Sequence, residues 1–108
     1  MSEPKVIFDP SFPSEMEKAV IRLLTPHLHI ADSLRTLKVK WGMGEDDEAN
    51  VEVLSRYHTA YLTLCPTFFT LSFPEKEHTI VHELMHVKVD LLARALKHVL
   101  IQFVPDEM

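Results

Sequence analysis

The period of the apolar positions changes twice along the chain. Met16, Ala19, Val20, Leu23 and Leu24 recur at three- and four-residue intervals, which predicts an amphipathic helix. Ser14, with Glu17 three residues on, is a capping-box start for that helix, and Pro26 ends the regularity. From Leu37 the period becomes two. Leu37, Val39 and Trp41 alternate with Lys38 and Lys40. Val51, Val53 and Ser55 alternate with Glu52, Leu54 and Arg56. Ala60, Leu62 and Leu64 alternate with Tyr61, Thr63 and Cys65 up to Pro66. Each run predicts a half-buried strand, and the three are expected to pair antiparallel. Gly42-Met43-Gly44 and the acidic run Glu45 to Glu48 form a solvated turn between the first two. Residues 1–13, with three prolines, read as an irregular lead-in, and Thr67 to Ser72 fits neither period.

Ser72-Phe73-Pro74-Glu75 repeats the helix-start signal, with a Ser N-cap, a Pro in the first turn and a Glu three residues on. Neither Gly nor Pro follows as far as Phe103. Ile80, Val81, Leu84, Met85, Leu91, Leu92, Leu96, Val99 and Leu100 are spread over most of the helix surface, which predicts a central, buried helix. The β-branched Val87 and Val89, followed by Asp90 as a second N-cap candidate, leave room for a bend into a separate C-terminal helix. The expected fold is therefore α+β, one domain over residues 1–108: an N-terminal helix, a small three-stranded antiparallel sheet and a long buried helix.

Inside that long helix stands His82-Glu83-Leu84-Met85-His86. Residues four apart share a helix face one turn from each other, so two imidazoles can converge on one ion. Zinc accepts imidazole nitrogen at about 2.0–2.1 Å, and a carboxylate one position round can take a proton from the attacking water. A five-residue pattern is short, and its weight comes from its place on a helix expected on independent grounds. Burying two imidazoles and a carboxylate is costly unless they are paired or bind a metal.

These residues resemble the HExxH helix of the zincin metallopeptidases. Thr79, three residues before His82, and the uncharged Ile80, Leu84, Met85 and Val87 fit the extended signature, while Lys88 departs from it. The resemblance covers roughly residues 57–90. Chain length and element order are also similar to very small metallopeptidase-like proteins of phage and mobile elements. It implies one zinc ion per chain on His82 and His86, Glu83 as general base, and hydrolysis of a peptide or protein substrate. It also implies an edge strand lining the cleft. Ala60 to Cys65 has the matching placement, so Tyr61 and Leu62 are the expected substrate-binding residues, with substrate adding a strand to that edge. The metzincin branch needs Gly at position 89 and His at position 92, where the chain has Val89 and Leu92. Gluzincin-like branches take a third ligand, usually Glu, twenty or more residues on. Only Asp106 and Glu107 lie at that distance, and Glu107 reaches the metal only if the chain folds back after Asp90. Asp90 is the rival; on a straight helix it lies about 12 Å along the axis from His82. The third ligand stays open between Glu107, Asp106 and Asp90.

His78 extends the same stripe and reads as an exposed first-turn side chain. His27, His29 and His58 read as loop or packing residues, any of which could donate to an oxyanion. Cys65 reads as a small buried thiol and Trp41 as core. Formal net charge is −5 with no local Lys/Arg cluster, which argues against a nucleic-acid partner. No apolar run approaches the roughly 20 residues that span a bilayer. One cysteine and an N-terminus without an apolar signal core make the cytoplasm the expected compartment. The reading from a different class is a non-catalytic metal-binding or structural interaction module with the same shape. A weaker third is hydrolysis of a non-peptide amide.

Overall fold

The computed structural model describes residues 3–42, 48–54 and 58–103, the last of these without side chains at 98 and 100–103. It is a mixed α/β fold. A strand β1 (Lys5–Phe8) leads through a short 3-10 turn into helix α1 (Glu17–Leu24). A 3-10 helix (Thr25–Ala31) then returns to β2 (Thr36–Trp41). Strands β3 (Ala49–Leu54) and β4 (Thr59–Leu64) follow. A second 3-10 helix (Pro66–Thr70) leads into helix α2 (Phe73–Phe103).

The sheet has four strands in the order β1-β2-β4-β3. β1 runs parallel to β2 and β2 parallel to β4; only β3 and β4 are antiparallel. Two expectations are thereby corrected. The lead-in contains a strand, because Val6 and Phe8 pack on the core between Pro4 and Pro10, which flank β1 without interrupting it. The sheet is mixed because β1 and β2 are joined by a helical crossover, the connection that parallel neighbours require. The Ser14 signal also behaves differently from its expectation. Ser14–Met16 forms a 3-10 turn with no side-chain cap, and α1 begins only at Glu17. Pro26 does not end the helical path either; it sits in the first turn of the following 3-10 helix.

Both helices lie on one face of the sheet. Leu37 and Val39 of β2 and Ala60, Leu62 and Leu64 of β4 form that face, with Val20, Leu23 and Leu24 of α1 and Ile80, Leu84 and Val87 of α2 packed on it. Phe68, fully buried, gives the segment after Pro66 its place. Phe12, Trp41 and Phe69 form an aromatic group at one end, with Trp41 stacked on Phe69 at a centroid separation of 5.7 Å. Cys65 is buried, as its sequence context predicts.

Gly42 closes the end of β2, its amide donating to the Leu64 carbonyl at 2.8 Å. A Cβ added there meets Cys65 Sγ at 2.5 Å and Thr63 Cγ2 at 2.9 Å. Gly42→Ala is therefore expected to destabilise the fold by about 1–3 kcal/mol, the usual cost of overpacking, read as a lower denaturation midpoint in urea. Residues 43–47 and 55–57, which include most of the expected acidic turn and the end of the second expected strand, lie outside the described residues.

The start of α2 follows its sequence signal. Ser72 Oγ donates to Glu75 Oε1 at 2.8 Å, the Ser72 amide donates to the same oxygen at 3.1 Å, and the Glu75 amide points back at Ser72 Oγ at 3.4 Å. The two hydrogen bonds from Ser72 hold the Glu75 carboxyl below the ordinary Glu range. The middle of α2 contradicts its expectation. The helix runs unbroken from Phe73 to Phe103, passing through Asp90 as one element, and among the described residues no separate C-terminal helix follows. Without Gly or Pro, two β-branched residues weaken a helix by only tenths of a kcal/mol each, and buried Val87 is held by the core. Nor is α2 buried all round: Met85, Val89, Leu92, Leu96 and Val99 are exposed.

Candidate metal centre

The uninterrupted i, i+4 geometry of α2 brings His82 and His86 together. Their Nε2 atoms are 2.9 Å apart, one ring donating to the other, and the rings meet edge to face with centroids at 4.4 Å. Both imidazoles are exposed, whereas Glu83 beside them is 9 % exposed. The position of Glu83, between the histidines and the core-facing stripe of Ile80, Leu84 and Val87, explains the difference. Among the described residues, these three form the group whose ligand atoms could hold a metal ion, all within 4.8 Å of one another. The donor set fits. Two nitrogens on a tetrahedral ion at about 2.05 Å stand about 3.3 Å apart, so a small ring rotation opens the observed pair into a ligand pair.

The site faces a cleft of about 650 Å³ between α2 and the sheet edge. Glu83, His86 and Asp90 line one wall and Ala49, Asn50, Val51 and Val53 the other. β3 is the edge strand on this side, since β4 is flanked by β2 and β3. This corrects the expected substrate strand. Leu62 is 1 % exposed in the core, and Tyr61 points to the opposite face of the sheet, where Lys40 Nζ lies 5.2 Å from its ring centroid. Val51 and Val53 were visible in the sequence as part of an alternating strand; Ala49 and Asn50, and the position of β3 at the edge, were not.

The third-ligand candidates fare differently. Asp90 shares the cleft wall, but α2 does not break, so it stays about 12 Å along the axis from His82. Its carboxylate accepts a hydrogen bond from Arg94 Nε at 2.7 Å. Asp106 and Glu107 lie outside the described residues. The fold-back that would return them to the same chain's histidines does not begin before Phe103, which is about 26 Å along α2 from His86. His27 is also engaged elsewhere, its Nε2 lying 3.1 Å from Glu77 Oε2. His58 has a left-handed backbone (φ 53°) at the entry to β4, and its carbonyl accepts from the Arg35 amide at 2.8 Å. His78 is exposed and outside the three-residue group.

Compared with known proteins, the chain matches no family model, no curated protein and no solved structure. The site is therefore read from its own geometry. Among the described residues no helix is long and apolar enough to cross a membrane.

Proposed function

We propose that the chain is a zinc-dependent peptidase whose site is the His82-Glu83-His86 turn of α2. The observation that carries the reading is a converging imidazole pair of which His86, with the buried Glu83, lines the wall of a cleft whose other wall is an edge strand. His82 and His86 hold the ion through their Nε2 atoms. Zinc, when bound, supplies Lewis-acid polarisation and an acidified water. Glu83 receives the water proton on its carboxylate and passes it to the leaving amine, so the carboxylate is regenerated at the end of the cycle. The edge of β3 orients an extended substrate by main-chain pairing, which presents successive peptide bonds to α2.

The test is cleavage of a proteome-derived peptide library by zinc-loaded protein, with product termini read by mass spectrometry. Cleavage that stops on chelation and returns with zinc is the expected result. No cleavage by protein shown to hold zinc would end the peptidase reading. One observation favours a second reading, a metal-binding module without turnover: among the described residues no further His, Asp or Glu joins the three in the ligand group. In that case Glu83 is itself a ligand.

A further inference from the structure

The cleft beside the histidine pair extends past the residues that the proposed chemistry uses. Its α2 wall runs from Glu83 to Ala93 and its β3 wall from Ala49 to Val53. At 1.5 Å per helical residue and about 3.3 Å per strand residue, these walls are about 15 Å and about 13 Å long, which leaves room for about four residues of extended peptide. Glu83 and His86 occupy one end of the helical wall. Asp90 lines the same wall one turn further on, about 6 Å along the axis from His86. Side chains on one face of an extended peptide repeat at about 6.6 Å. A bound strand with one side chain beside His86 therefore brings its next same-face side chain to Asp90.

We propose that Asp90 selects peptides carrying a lysine or arginine side chain at that position, two residues from the side chain beside His86. The inference rests on the peptidase reading for the reaction and on the cleft alone for the binding. Charge and shape of the lining agree with it. Among the described residues that line the cleft are two carboxylates, Glu83 and Asp90, and neither lysine nor arginine. The lysine nearest to Asp90 in sequence, Lys88, lines a separate cleft with Asp32 and Leu91. Val51, Val53, Val89 and Ala93 supply small apolar surface in the same cleft as Asp90. A lysine or arginine side chain has the matching build, an apolar stem that lies on such a surface and a cationic head that reaches a carboxylate. The net charge of −5 favours the encounter with a cationic peptide.

Arg94 is the competitor for this carboxylate, its Nε donating to Asp90 Oδ2 at 2.7 Å. The pair is an i, i+4 contact with both side chains partly exposed, a class of ion pair that contributes little. Arg94 itself does not line the cleft. A carboxylate accepts at both oxygens, so a substrate cation can bind beside the guanidinium without displacing it. Arg94 then orients Asp90, and Asp90 reads the substrate.

Binding is read by fluorescence anisotropy on the Glu83→Gln chain in zinc-containing buffer, so that turnover does not consume the probe. The probes are fluorescein-labelled octapeptides of alternating Thr and Val, with one Lys, Gln or Glu placed at each position in turn. Lys at one position is expected to bind about fivefold more tightly than Gln there, the upper range for a partly exposed ion pair, with Glu weaker than Gln. Adding Asp90→Asn should remove the difference. Arg94→Gln, which takes away the competing guanidinium, should keep or enlarge it. No preference for Lys at any position, a preference that survives Asp90→Asn, or one that Arg94→Gln abolishes overturns the inference. The same peptides given to wild-type protein shown to hold zinc separate it from the peptidase reading. Binding with the Lys preference but no cleavage supports the inference and ends the peptidase reading. Cleavage with equal kcat/KM for Lys, Gln and Glu at every position does the reverse.

Discussion

Glu83→Gln is expected to leave about one zinc ion on each chain and to lower the rate of peptide cleavage about 10²- to 10⁴-fold, the range that a positioned general base contributes. The substitution keeps the shape of the side chain and its place against the core, where Glu83 is 9 % exposed, and removes the oxygen able to take a proton. His82 and His86 are untouched, and their nitrogens, 2.9 Å apart, still define the ligand pair. The split between metal content and turnover is what assigns the role. Loss of zinc together with activity makes Glu83 a ligand and favours the module without turnover. Full activity in the variant removes Glu83 from the chemistry.

Leu84→Ala is expected to cost about 2–5 kcal/mol, the range for a buried leucine replaced by alanine. Leu84 is 1 % exposed and joins α2 to the sheet through the core cluster that holds Leu62 and Val39. A domain of this size has about 5–15 kcal/mol in all, so the variant should unfold at a markedly lower urea concentration with an unchanged m-value. The exposed Lys18→Ala is the matched control and should stay within about 0.5 kcal/mol of wild type. An equal and small effect of both would mean that α2 is not anchored where Leu84 places it. The site would then have no fixed relation to β3.

Local signals in the sequence held at the start of α2 and in the strand periods, and failed at Ser14 and Pro26. Ser72 and Glu75 cap α2 as their spacing predicts, and the period-two runs of β2, β3 and β4 are strands. The His82-Glu83-His86 turn was legible for the same reason, since helical spacing alone brings the imidazoles together. Pairing order was not legible, because nothing within Ala60–Leu64 records that β4 lies between β2 and β3. That single tertiary fact moved the cleft-lining strand from β4 to β3 and turned Leu62 from a substrate contact into core. The exposed apolar residues of α2 show the converse difficulty. Met85, Leu92, Leu96 and Val99 have the apolar character of buried residues, and sequence does not distinguish a face packed on its own sheet from an exposed one.

Zinc content, by elemental mass spectrometry on untagged wild-type protein never exposed to chelator and on His86→Ala, tests the central claim most directly. About one zinc ion per wild-type chain and none in the variant is the predicted result. A wild-type chain that takes up no zinc, even from added salt, would contradict it, leaving His82 and His86 as a hydrogen-bonded pair and nothing more.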